Sequence, residues 1–188
     1  MADPKTRILN AARDIFLEGG ADSVTMRAVA ERVGVTATAL YRHFENKEAL
    51  VRAVMSSGFE TFGGYLHRAL RGRTPMERLR LSGQAYLDFA LEQPELYRTI
   101  FMTPWRGVET KMDPQWNATF QFLVDRVREC IAAGELKKGE PADVAVTIWA
   151  HVHGLVSLYL VGACNFTEKT FRSAYRQSVD RLFEGLTK

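Results

Sequence analysis

The sequence predicts an all-α protein of about nine helices. Three observations carry that expectation. No segment sustains period-2 alternation, while apolar residues recur throughout at helical spacing. Cap residues and prolines stand at the start of the apolar-periodic runs, and glycines stand just past their ends. The 188 residues are 46% hydrophobic and 25% charged, the balance of a globular chain long enough to bury its own core.

The first helix is expected from Pro4 to about Leu17, with Asp3 and Pro4 at its start and Ile8, Ala12, Ile15 and Phe16 as its buried stripe. Gly19 and Gly20 end it. Thr25 caps a short second helix whose apolar face is Met26, Val29, Ala30 and Val33, broken by Gly34. Thr36 caps a short third helix with Leu40 facing inward, and Val35 is placed to staple the turn to the core. Asn46 caps a fourth helix from Lys47 toward Leu70, which Gly63 and Gly64 either bend or end. A fifth helix is expected over about 76–91 and a short sixth from Pro94 to Met102. The seventh spans about 115–133, the eighth opens at Pro141, and Thr167 caps a ninth that runs toward Phe183. Helices before residue 50 are short and tightly turned, and those after it are long and rich in aromatic residues. The expected domains are therefore 1–48 and 49–188.

Composition excludes several classes. The net charge of +3 is too small for a blanket nucleic-acid binder, so any DNA contact must be local and geometric. Two cysteines, Cys130 and Cys164, cannot build a disulfide framework and read as reduced. The N-terminal residues do not form a signal peptide, and a cytoplasmic location is expected. Residues 145–164 carry no formal charge for twenty positions. With His151, His153, Thr147 and Ser157 inside and no flanking Lys or Arg, this stretch reads as a helix buried on several sides rather than a membrane span.

The informative segment is Thr25 to Lys47, TMRAVAERVGVTATALYRHFENK. Two short helices flank a glycine-initiated turn, the layout in which the second helix enters the DNA major groove. Thr36, Ala37 and Thr38 fall on the first turn of that helix and offer two hydroxyls and a methyl group to phosphates, base edges and thymine methyls. Tyr41 and His43 can donate to phosphate oxygens. Lys47 opposes the dipole of its own helix start, which an external anion would explain.

Gly34-Val35-Thr36, Leu40-Tyr41-Arg42-His43-Phe44 and Asn46-Lys47-Glu48 with Leu50, in that order and spacing, resemble the DNA-binding domain of the TetR family of bacterial transcriptional regulators. The upstream Ile8, Ala12, Phe16 and Gly20, and Thr25-Met26-Arg27 with Val29-Ala30, fit the same pattern. The resemblance implies DNA contacts by Thr25, Arg27, Thr36, Ala37, Thr38, Tyr41, His43 and Lys47. Ala37 is too small for a bidentate base contact, so readout leans on Arg27, Thr38, methyl contacts and DNA shape.

Beyond residue 50 there is no Gly-rich phosphate loop, no zinc spacing and no nucleophile–base pair, so an enzyme is not expected. Aromatic residues are dense, beyond what core packing alone requires. Phe62, Tyr86, Phe89, Phe101, Trp105, Trp116, Phe120, Trp149 and His153 are the candidates for an apolar effector site. Ile148-Trp149-Ala150-His151-Val152-His153-Gly154 resembles the tryptophan-histidine-glycine region of one class of C-terminal domain in the same family. His151 and His153 lie about 200° apart on a helix and cannot share one metal ion, so no metal and no cofactor are expected.

The resemblance further implies a homodimer formed by the last two long helices, with Leu155, Leu158, Tyr159, Phe171, Tyr175, Val179 and Leu182 at the interface. The expectation is a regulator, in the first instance a repressor, released from a near-palindromic double-stranded operator by a small apolar or aromatic effector. An activator of the same fold, a metal- or redox-responsive regulator, a small helical enzyme and a ligand-free architectural DNA binder are the alternatives.

Overall fold

A computed structural model describes residues 3–102 and 114–187. Among these residues the chain is wholly helical: α1 (Pro4–Ser23), α2 (Met26–Val33), α3 (Ala37–Tyr41), α4 (Lys47–His67), α5 (Pro75–Glu92), α6 (Pro94–Tyr97), α7 (Pro114–Ala132), α8 (Pro141–Leu160) and α9 (Glu168–Leu186). A 3-10 turn, Arg68–Arg71, follows α4, and a π-helical turn, Arg98–Met102, follows α6. The chain groups into two compact units, one from residues 1–61 with 95–116 and one from 62–94 with 117–188. The expected boundary at residue 48 is thus not where packing divides the chain, because α4 through Thr61 and the segment after Pro94 group with the head.

In the first unit, α1 packs on α2 and α2 on α3. Ile8, Ala12, Ile15 and Phe16 are buried as their spacing predicts, together with Val29, Leu40, Phe44 and Leu50. Leu40 is fully enclosed, and a leucine so placed contributes roughly 1.5–3 kcal/mol through removal of its apolar surface from water. α1 outlasts its expected end at Leu17, but Gly20 leaves helical geometry at φ 76°, so the regular helix does stop at the glycine pair. The π-helical turn packs against α1. Gly58 on α4 is needed for close approach, since a Cβ there would lie 2.5 Å from Ile100 Cγ2.

The turn between α2 and α3 closes by local hydrogen bonding. Gly34 sits at φ 75°, its N–H donates to the Glu31 carbonyl and the Val35 N–H donates to the Ala30 carbonyl. This is the paired bond pattern that satisfies the last carbonyls of a helix and requires a left-handed residue. Val35 itself is 37% exposed, so it does not staple the turn to the core as expected. The staple lies at the other end of α2, where Val24 and Val29 flank the Thr25 cap and are both buried.

The second unit is built from the end of α4 with α5, α7, α8 and α9. Its core gathers Leu79, Val127, Cys130, Leu136, Ala145, Ile148 and Phe183. Thr74 and Glu77 form a reciprocal capping box at the start of α5, and the Glu135 carboxylate accepts from the Met76 N–H at 2.8 Å. α8 is long and apolar enough to cross a membrane by length and composition. Here it packs on α5 and α9, burying Ala145, Ile148, Val152 and Val156. Part of its apolar surface stays open: Val146 and Leu158 are about half exposed.

Gly63 and Gly64 do not end α4, which continues to His67. Gly64 lies in open space, so Gly64→Ala is expected to raise stability by up to about 1 kcal/mol. Gly34→Ala, forced into the left-handed region, is expected to lose about 1–2 kcal/mol. Thermal melts of the two variants beside the parent chain check both signs.

Candidate functional site

The sequence-predicted DNA contacts are displayed by two caps and a turn. Thr25 Oγ1 accepts from the Ala28 N–H at 3.1 Å, and Thr36 Oγ1 accepts from the Ala39 N–H at 3.1 Å. Each cap uses the hydroxyl oxygen as acceptor and leaves the O–H to donate outward. Asn46 Oδ1 accepts from the Ala49 N–H at 2.8 Å and fixes the start of α4, where Lys47 is half-buried. Thr25, Arg27, Thr36, Ala37, Thr38 and His43 are all exposed, and Tyr41 is 53% exposed. A large aromatic ring left in water between buried Leu40 and Phe44 is not a core residue.

A cleft of about 230 Å³ lies between α2 and α3, lined by Arg27, Ala30, Glu31, Val35 and Ala37. The small side chains of Ala30 and Ala37 open it, and Val35 forms part of its wall instead of entering the core. Arg32, on another side of α2, is bound to Glu18 through two hydrogen bonds of 3.0 and 2.6 Å. That pair lowers the Glu18 pKa through its hydrogen bond from Arg32 and ties α1 to α2 away from the cleft.

In the second unit the expected effector residues form a connected row. The Phe62 ring lies 5.6 Å from Tyr86 and 5.0 Å from Phe89. The Tyr86 hydroxyl is 3.0 Å from His153 Nδ1, Trp149 lies 5.7 Å from the His153 ring, and Phe120 lies edge-on to Trp149 at 6.4 Å. We assign the Tyr86 O–H as donor to Nδ1, which leaves the ring proton on Nε2, facing Ser157 Oγ at 3.4 Å. Burial lowers the His153 pKa, so the ring is neutral at pH 7. His151 turns elsewhere, with Nε2 3.1 Å from Ser178 Oγ on α9. The two histidines thus have separate neighbours, as their spacing implies.

Not every expected effector residue joins this row. Phe101 belongs to the first unit, edge-on to Phe59 at 5.6 Å and tilted against Tyr97. Trp105 and the side chain of Trp116 lie outside the described residues. Sequence reasoning missed Ser157 as the second polar neighbour of His153. Its position four residues after His153 on the same helix was the available signal.

Two of the expected interface residues are core. Phe171 is 3% exposed and stacks on Tyr159 at 4.0 Å with rings nearly parallel. Tyr175 is 2% exposed and donates its hydroxyl hydrogen to the Gly83 carbonyl at 2.8 Å. Both side chains satisfy themselves within the chain, because the helical spacing of Phe171, Tyr175, Val179 and Leu182 marks the inward face of α9. Val179 and Leu182 are partly buried against the second core. Leu155 and Tyr159 are half-buried and Leu158 is exposed.

Among the described residues no group of three or more His, Cys, Asp or Glu side chains could hold a metal ion. Cys130 is buried, and burial with the nearby Glu135 carboxylate pushes its thiol up to about 12, which removes thiolate reactivity at neutral pH.

Comparison with known proteins places this geometry in a family. Residues 8–54 match the family model described as bacterial regulatory proteins, tetR family, and residues 79–184 match that of the tetracyclin repressor-like C-terminal domain. The HTH-type transcriptional regulator UidR of Escherichia coli strain K12 is 39% identical over 89 residues, covering 47% of this chain and 39% of UidR. The HTH-type transcriptional activator FasR of Mycolicibacterium smegmatis is 33% identical over 127 residues, covering 67% of this chain and 58% of FasR. The chain therefore spans less than two thirds of the length of either relative. A solved structure of a protein of unknown function from Rhodococcus sp. RHA1 shares the fold at a TM-score of 0.83 and 24% identity, covering 100% of this chain and 97% of the other. With an exposed, doubly capped helix-turn-helix at one end and a helical domain matched over most of the rest, the chain belongs to the TetR family of DNA-binding transcriptional regulators.

Proposed function

We propose that this chain is a homodimeric, cytoplasmic, effector-responsive regulator that represses transcription from a near-palindromic operator. The observation that carries the proposal is the outward display of Thr25, Arg27, Thr36, Ala37, Thr38, Tyr41 and His43 on a head whose apolar core is buried beneath them. In this reading residues 1–48 bind DNA and residues 49–188 bind the effector and the second copy. α3 enters the major groove, with Thr38 and Ala37 toward the bases. Thr25, Thr36, Tyr41, His43 and Lys47 hold phosphates, and Arg27 reaches a phosphate or base edge from α2.

The effector proposal rests on the aromatic row of the second unit. Phe62, Phe89, Phe120 and Trp149 would give a small apolar or aromatic molecule its contact surface, and the Tyr86–His153 pair would orient it. No catalytic step is assigned to these groups. An effector that binds one conformation of the dimer better than another would shift the population of DNA-competent dimers by that difference alone.

The dimer proposal rests on the exposed apolar residues of α8, Val146 and Leu158, with Val161 just past its end and Leu155 and Tyr159 half-buried beside Leu158. A two-fold copy would set the two reading helices about 34–36 Å apart, one turn of DNA. The description of FasR as an activator favours a second reading with the same head and the opposite output. A promoter reporter with and without the chain separates the two by sign.

Binding assays on the chain test the head. Lys47→Ala should weaken operator binding and reduce the salt slope by about one counterion, and Tyr41→Phe should weaken binding at unchanged slope. Thr38→Ala should change sequence preference more than affinity. Unchanged affinity and slope for Lys47→Ala would remove that residue from the interface. In sedimentation, Leu158→Glu should shift the dimer toward monomer, and an unaltered dimer would move the interface off α8.

The lowered His153 pKa fixes a pH dependence. The unfolded chain takes up a proton near the ordinary value of 6.5, while the folded chain resists it, so the stability this site contributes is present above 6.5 and is lost as pH falls through the folded value. Denaturation of the parent chain and of His153→Gln between pH 7.5 and 5.5 (about one unit either side) should show a gap that narrows on acidification. A constant gap would mean that His153 is not held neutral by its surroundings.

A further inference from the structure

From the 3-10 turn into α5, residues 68–80 hold five arginines and a single acidic residue, Glu77. Three of these arginines line an open groove of about 440 Å³, bounded by Arg71, Gly72, Arg73, Glu77, Arg80 and Leu81. The size suits a small ligand. We propose that this groove is a binding site for a phosphate-bearing small molecule, separate from the DNA-reading head and from the aromatic row.

The loop that forms the groove is braced by local contacts. Gly72 is required by close approach and not by its backbone angles: a Cβ there would stand 2.7 Å from the Arg78 backbone nitrogen. Arg78 Nη1 donates to the Gly72 carbonyl at 3.1 Å, and Arg78 Nε donates to Glu129 at 3.1 Å, which anchors the loop to α7. Glu77 Oε2 accepts from the Arg73 N–H at 2.7 Å and from the Thr74 N–H at 3.4 Å. The one carboxylate lining the groove is therefore engaged with backbone donors.

The guanidinium groups differ in their commitments. Arg80 is paired with Asp180 and lies over the Phe183 ring. Arg68 lies over the Tyr65 ring. Arg71 and Arg73, both exposed, have no side-chain partner among the described residues. Two unpaired planar forks held two residues apart on a braced loop suit the oxygens of a phosphate group, for which arginine offers bidentate donors that a lysine cannot. The α5 N-terminus is not the site, since Thr74 and Glu135 already occupy its first amides.

Inorganic pyrophosphate is the probe. The full chain is titrated by calorimetry at constant ionic strength, with chloride as the compensating ion. The expected result is saturable binding at one site per chain, weakened at least tenfold in Arg71→Gln/Arg73→Gln. Lys138→Gln/Lys169→Gln removes the same charge elsewhere on the surface and should leave the affinity within about twofold. Circular dichroism checks that both variants stay folded. Absence of saturable binding, or equal losses in the two variants, would overturn the proposal. So would a lower salt slope of DNA binding in Arg71→Gln/Arg73→Gln, because the arginines would then serve the DNA backbone.

Discussion

The head depends on one left-handed residue between two hydroxyl caps. Gly34 turns the chain, the carbonyls of Ala30 and Glu31 find their donors in Val35 and Gly34, and Thr36 restarts the helix by accepting from Ala39. The last carbonyls of α2 are paired and the exposed remainder of the turn is open to water, so it can sit on a protein surface at little cost. Leu40 and Phe44 then drop into the core from one side of α3, which forces Ala37, Thr38 and Tyr41 to the other. The outward display of polar and aromatic groups is a consequence of that inward anchoring. A residue with a Cβ at position 34 would strain the turn and displace the whole display together.

The second unit follows a different logic. Several of its polar groups are given direction by a partner: Tyr175 by the Gly83 carbonyl, His151 by Ser178, Tyr86 by His153. Aromatic rings pack around them, most at edge-on or tilted angles, with Tyr159 and Phe171 stacked nearly parallel. The neutral His153 is the electrostatic mark of this region. Partial burial disfavours the charged ring and lowers its pKa. α8 contributes Trp149 and His153 to this row and leaves Leu158 exposed, so effector contact and subunit contact are proposed for the same helix.

Much of this was legible in the sequence because local chemistry determines it. Thr25, Thr36, Asn46 and Thr167 are caps wherever they precede an apolar-periodic run, and all four cap in the structure. The stripe of α1 and the turn at Gly34 were readable for the same reason. What was not legible is which of two neighbours a residue faces. Phe171 and Tyr175 share helical spacing with Val179 and Leu182, but spacing gives a face and not its partner, and the face proved to be internal. Val35 was misplaced because the preference for a buried residue before a cap yielded to the cleft lined by Arg27 and Ala37. The glycine pair in α4 was ambiguous because a break depends on tertiary support, and the helix continues through both positions.

The central claim is that the capped head reads DNA as a symmetric pair. The most direct measurement is selection of bound fragments from random DNA by the purified chain at about 0.15 M salt, where non-specific binding is suppressed. The account predicts enrichment of a two-fold symmetric sequence whose half-site centres lie one helical turn, or a close multiple, apart. Recovery of no sequence, or of an asymmetric one, by folded dimer would contradict it.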